Sequence, residues 1–314
     1  MSFTVQIKEE ITKLEDTKSE KIAGLSGYIR NNASIHNQKL TMTTENIFIV
    51  DKVANLIKDL FHIEAKVEII GNVNFSKNNL YEISFTDEED RIFRALGIHD
   101  DKGQYLQTVP TYIVGANEEI RAYLRGVFAA CGSINDPKKS RYHMELLIRE
   151  AQEAVFVQKL LNIFDLNAKI LNRDKGYMIY VKEAEKISDY LRILGANKAV
   201  MYFEDVRIYR DQKNKTNRLN NCEQANMDKI IQTAEIQLKY IEEIEASDAV
   251  DLLDDKAKEA LEYRKKYPEA SLKELAEIIS IETNKSITKS GLNHRMRKIK
   301  ELAERIIKNK NKDN

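Results

Sequence analysis

Residues 289–298, "KSGLNHRMRK", gather side chains able to hold a polyanion. Lys289, Ser290, Asn293, His294, Arg297 and Lys298, with Arg295 among them, recur at the spacing that groups residues on one side of a helix. Lysine and arginine neutralise phosphates and read guanine edges, asparagine pairs through two hydrogen bonds with adenine, and serine reaches phosphate. Ser290 and Gly291 leave the backbone near the helix start open to close approach. His294 is one of five scattered histidines and has no ligand set around it, so a phosphate or base contact suits it better than a metal.

Such a face needs a helix held by its other side. Leu292, Met296, Ile299, Ala303 and Ile306 supply that side at helical spacing. A first helix over about 250–266 presents Leu253, Ala257, Ala260 and Leu261 and stops before Pro268. In "SLKELAEIIS", Ser271 and Glu274 form a capping box, and Leu272, Leu275, Ala276 and Ile279 form a stripe. The three helices read as a helix-turn-helix module, with a turn of roughly six to eight residues against the usual three or four. The same pattern also fits a three-helix bundle with a basic solvated face, or a protein-docking module.

Charge follows this division. The chain has 50 basic and 50 acidic residues among 314, so its net charge excludes no partner class. Residues 235–262 carry ten acids against three bases, whereas 286–314 carry nine bases against three acids. The asymmetry directs attention to the C-terminal end.

Residues 197–235 read as a connector. Its polar, Asn-rich stretch holds Arg207, Arg210, Lys213, Lys215 and Arg218, a basic arm for phosphate or a solvated linker. From Ala225, the recurrence of Met227, Ile230, Ile231, Ala234, Leu238, Ile241 and Ile244 predicts a linking helix of about 20 residues.

The first two hundred residues contain a repeat. "AGLSGYIRNNASI" (23–35) aligns with "AYLRGVFAACGSI" (122–134), and the likeness continues downstream. Each half reads αββαββα. The first has helices near 19–31, 51–62 and 87–96, and strands near 33–42, 46–50, 65–72 and 79–85. The second has helices near 117–130, 150–164 and 183–194, and strands near 132–136, 142–149, 167–172 and 176–182. Glycine inside a helix costs ~1 kcal/mol relative to alanine, which points to a packing reason. Gly24 and Gly27 on one helix, with Gly126, Ala129 and Ala130 on the other, predict two helices in close approach.

Both copies resemble the LAGLIDADG motif of homing endonucleases, in which the motif helices pack at a pseudo-dyad and acids hold divalent metals. This chain departs at the acidic positions. Asn32 and Cys131 stand at the metal-binding acids, and Arg30 and Ala129 stand two residues earlier. Neutral Asn and Cys are poor ligands for a hard cation. The resemblance therefore implies the fold without the nuclease chemistry, with no metal, no cofactor and no catalytic residue.

No apolar run reaches the ~18 residues that would span a bilayer. Cys131 and Cys222 are too few for a disulfide framework and lack metal spacing. A reducing cytoplasm is the expected setting.

A duplicated, acid-free LAGLIDADG-like domain joined to a helix-turn-helix resembles the bacterial WhiA family over essentially the whole chain. "SFTVQIKEEI", "NCEQANMDK" and "SITKSGLNHRMRKI" contribute to the resemblance. It implies a sequence-specific DNA-binding transcription regulator, linked to sporulation in some bacteria and to cell division or chromosome organisation in others. It also implies an inert scaffold domain, nucleoid association, and double-stranded DNA and other transcription proteins as partners. A membrane partner is not expected, and the expected state is a monomer. The expected fold is α+β, with a LAGLIDADG-like domain at 1–203, a connector and linking helix at 204–249, and a helix-turn-helix domain at 250–314. The alternatives are a divergent metal-dependent endonuclease and a protein-interaction adaptor.

Overall fold

The computed structural model describes the chain except for residues 37–38, 73–78, 86–87, 140 and 312–314. It divides into two compact units, Met1–Arg210 and Asp211–Asn314.

The first unit begins with α1 (Phe3–Thr12), then runs α2 (Lys18–Asn32), β1 (Ser34–His36), β2 (Lys39–Thr44), α3 (Ile47–Phe61), β3 (Lys66–Asn72), β4 (Asn79–Phe85) and α4 (Glu89–Ala95). The second repeat follows as α5 (Asn117–Cys131), β5 (Gly132–Ile134), β6 (Met144–Ile148), α6 (Ala151–Ile163), β7 (Lys169–Arg173), β8 (Gly176–Val181) and α7 (Ala184–Leu194). Each half is thus αββαββα, as its sequence predicts. The sheets have the same antiparallel order, β1-β2-β4-β3 and β5-β6-β8-β7. Alternation buries one face of each: Leu40, Met42, Ile83 and Phe85 in the first, Met144, Leu146, Ile148 and Ile179 in the second.

Three elements differ from expectation. The strand expected over 33–42 is a pair, β1 and β2, and its residues 37–38 lie outside the described part. The strand expected at 46–50 is the first turn of α3, because the Asn46 side chain accepts from the Phe48 N–H and caps a helix there. Helix α1 precedes the elements that the sequence predicts. It buries Phe3, Ile7 and Ile11, and Thr4 exchanges two hydrogen bonds with the Ile134 backbone, at 2.9 and 3.0 Å.

The expected connector is helical throughout. Helix α8 runs Asn197–Ala246, with its first residues in unit one and the rest in unit two. Glu10 of α1 accepts from the Lys198 and Ala199 amides at 2.6 and 3.1 Å, satisfying orphan donors at the start of α8.

In the second unit, a 3-10 turn at 250–252 precedes α9 (Asp255–Lys266), α10 (Leu272–Thr283) and α11 (Lys289–Lys310). Ile241 and Ile244 of α8 join Leu253, Ala257, Leu261, Leu275, Ile279, Leu292, Met296 and Ile299 in one core. Both reciprocal bonds of the Ser271–Glu274 capping box are present.

Candidate nucleic-acid interface

In the first unit, the two motif helices touch backbone to backbone. A Cβ on Gly126 would lie 1.9 Å from the Gly24 carbonyl oxygen, and one on Gly27 would lie 2.4 Å from that of Tyr123. Only glycine permits this approach without moving a helix.

Asn32 and Cys131 are both engaged within the first unit. The Asn32 amide is closed on the backbone of β2: Oδ1 accepts from the Thr43 N–H and Nδ2 donates to the Thr43 carbonyl, both at 2.9 Å. Its neutral oxygen is thus already engaged. The Cys131 thiol donates to the Val127 carbonyl at 3.3 Å, and desolvation pushes its pKa up to about 12. It is a neutral thiol rather than a thiolate ligand. Lys8 of α1 reaches the same end of α5, its ammonium 5.8 Å from the Phe128 ring centroid, with burial lowering its pKa.

Arg30 points inward. Its guanidinium donates to the Gly97 and Leu106 carbonyls at 2.9 and 2.8 Å and lies 3.6 Å from the Glu153 carboxylate. Glu153 also accepts from Tyr123 and Asn31. Arg30 comes from the first repeat and Glu153 from the second, so this buried polar cluster joins the halves. Nothing in the sequence had marked Glu153; its burial at 2 % exposure is what singles it out.

In the second unit, α11 has one buried side and one exposed side. Leu292, Met296, Ile299 and Ala303 are buried, and Ile306 packs against them. Lys289, Ser290, Asn293, His294, Arg297 and Lys298 are exposed on the opposite side. Thr288 caps α11, its hydroxyl accepting from the Gly291 N–H at 3.1 Å. The turn before α11 spans 284–288, shorter than the six to eight residues expected. Asn284 ends α10 in the left-handed region at φ 54°, and the Ser280 hydroxyl accepts from the Ile287 N–H at 2.9 Å. That clasp fixes where α11 begins.

Two of the cations are engaged within the unit. Arg295 is only 15 % exposed and bonds the Glu259 carboxylate at 2.6 Å, tying α11 to α9. Lys298 pairs with Asp254, the cap of α9, and lowers that carboxyl's pKa. Lys289, Asn293, His294 and Arg297 have no side-chain partner among the described residues. They form the part of the face free to meet a ligand.

The cations of the connector fall in both units. Arg207 pairs with Glu204 at 2.8 Å, and Arg210 donates to the Pro137 carbonyl at 2.6 Å and stacks over Tyr142. Lys213, Lys215 and Arg218 are exposed on α8. They are side chains of a helix rather than of an extended arm.

Sequence reasoning did not single out Arg264. It is 1 % exposed, donates to the Ala270 carbonyl at 2.6 Å, and faces no carboxylate within ion-pair distance among the described residues. Its place four residues before Pro268, on the buried stripe of α9, was the available clue.

Comparison with known proteins covers the chain in three parts. The profile of the WhiA N-terminal LAGLIDADG-like domain matches residues 18–99, that of the WhiA LAGLIDADG-like domain 120–213, and that of the WhiA C-terminal HTH domain 216–303. The chain is 41 % identical over 310 residues to a probable cell division protein WhiA of Enterococcus faecalis, covering 98 % of each. It is 38 % identical over 315 residues to one of Brevibacillus brevis, covering 99 % of each. Among solved structures, full-length DUF199/WhiA from Thermatoga maritima aligns with a TM-score of 0.59 at 22 % identity, over 97 % of this chain and 99 % of that one.

Proposed function

The chain belongs to the WhiA family, and on that footing we propose that it is a sequence-specific DNA-binding regulator of transcription that reads duplex DNA through α11. The observation that carries this reading is the divided surface of that helix. One side is locked into a core, while Lys289, Asn293, His294 and Arg297 stand exposed and unpaired on the other. A helix N-terminus with cations and an asparagine suits the major groove, where lysine and arginine meet phosphate and guanine and asparagine meets adenine.

The LAGLIDADG-like unit is a non-catalytic scaffold in this reading. Support comes from Asn32, whose amide is closed on Thr43, and from Cys131, whose thiol stays protonated. Neither supplies the carboxylate oxygens that two-metal phosphodiester hydrolysis requires. In this reading the protein acts on the nucleoid in the cytoplasm and serves cell division; support comes from its relatives, which are called probable cell division proteins.

The test is chromosomal mapping of bound DNA with the full chain and with its Arg297→Ala variant. Discrete sites that disappear in the variant are expected. The same sites in both, or no discrete sites with the native chain, would overturn the reading.

A further inference from the structure

The second unit holds an open cleft of about 320 Å³ beside the start of α10, which shares Lys289 with the outward face of α11. Lys229 and Thr233 of α8, Arg264 of α9, Ser271 and Lys273 at the start of α10, and Lys289 at the start of α11 line it. Four of these six residues are cationic, and none is a carboxylate. Lys229 and Lys289 have no ion-pair partner among the described residues, and Lys273 reaches Glu277 only at 3.9 Å.

Two further features give the cleft its character. The amides of Leu272 and Lys273 open helix α10 and have no hydrogen-bond acceptor among the described residues, which leaves donors and the positive end of the helix dipole beside the cleft that both residues line. Arg264 lies beneath, 1 % exposed, with its Nε lacking any partner. A buried guanidinium compensated only by carbonyls holds a positive potential that solvent screens poorly. Such a cleft lacks an anion.

We propose that this cleft seats a phosphate group, held by Lys229, Lys273 and Lys289 and by the opening amides of α10, with Arg264 providing the field beneath. The inference rests on the DNA-binding reading for its expected source, the duplex backbone, and gives α8 a part in binding. A backbone phosphate here anchors the module beside the helix that reads bases, since phosphate contacts set register and base contacts set sequence. A free phosphorylated small molecule offers the same chemistry, and the test separates the two.

The test uses the full chain, Lys229→Gln and, as a control of equal charge change on exposed α8 surface outside the cleft, Lys239→Gln. In the DNA arm, affinities for the preferred site and for unrelated duplex are measured from low to moderate salt. Lys229→Gln is expected to weaken both by about tenfold. It should also reduce the slope of log K against log salt by about 0.9, the mark of one lost phosphate contact. Lys239→Gln should stay within about twofold on the same measure.

In the second arm, pyrophosphate without DNA is the probe, read by thermal melting. Stabilisation of the native chain that is lost in Lys229→Gln, with an unchanged DNA arm, would assign the seat to a free phosphate. If Lys229→Gln matches Lys239→Gln in both arms, there is no phosphate seat. Absence of DNA binding by the native chain would instead overturn the reading of α11 and leave the pyrophosphate arm to decide the cleft.

Discussion

Arg30 and Glu153 meet at 3.6 Å between opposite halves of the duplicated unit, with both side chains enclosed. Arg30 comes from α2 of the first repeat, and its guanidinium is enclosed with a carboxylate of the second. The carboxylate comes from the start of α6 and also accepts from Tyr123 and Asn31. Removing one member leaves the other charged and buried. Glu153→Ala should therefore lower the stability of the first unit by about 3–5 kcal/mol in urea unfolding. A loss under about 1 kcal/mol would show that Arg30 is held by its carbonyl acceptors alone.

The contact of α2 with α5 is predicted to be intolerant of a single methyl group. Gly126→Ala would set Cβ 1.9 Å from the Gly24 carbonyl oxygen, so the helices must separate. A loss of about 3 kcal/mol or more is expected, the upper part of the range for overpacking. Gly71→Ala, where a Cβ meets nothing within 4 Å, should change stability by no more than about 0.5 kcal/mol. Similar melting curves for the two variants would refute the close approach.

An acid at position 32 should harm rather than help. In Asn32→Asp, a carboxylate oxygen would face the Thr43 carbonyl that the amide now donates to at 2.9 Å. One hydrogen bond becomes a repulsion, and a loss of about 1–3 kcal/mol is expected by chemical denaturation. A variant as stable as the parent would mean that the Thr43 clasp contributes nothing.

The two thiols should differ in reactivity. Burial raises the Cys131 pKa to about 12, while Cys222 lies exposed on α8. Because the folded-state pKa is raised, the associated stability is fully present below the unfolded thiol's pKa of about 8.5. It is lost as pH rises through about 12. Iodoacetamide at pH 8, followed by mass spectrometry, should modify Cys222 well before Cys131. Equal rates would overturn the account of Cys131 as a neutral, shielded thiol.

The repeat was legible because both halves carry the same small residues at the same spacing and the same strand alternation. Elsewhere periodicity says little. "IFIV" at 47–50 is an apolar run that suits strand or helix, and only the Asn46 cap decides it. Residues 211–229 of α8 are exposed on every side, so no apolar stripe betrays the helix. At the interface, the division of α11 was readable from its apolar spacing. The engagement of Arg295 by Glu259, and the burial of Arg264 and Glu153, were not, since these depend on residues far apart in sequence that only the fold brings together.

Reading of DNA by the unpaired face of α11 is tested most directly by titration of the preferred site at fixed salt with the native chain, Asn293→Ala and Arg297→Ala. Each variant should lose about 1–3 kcal/mol of binding to that site, with a smaller loss on unrelated duplex, as expected for base contacts. Native affinity in both variants would contradict the account.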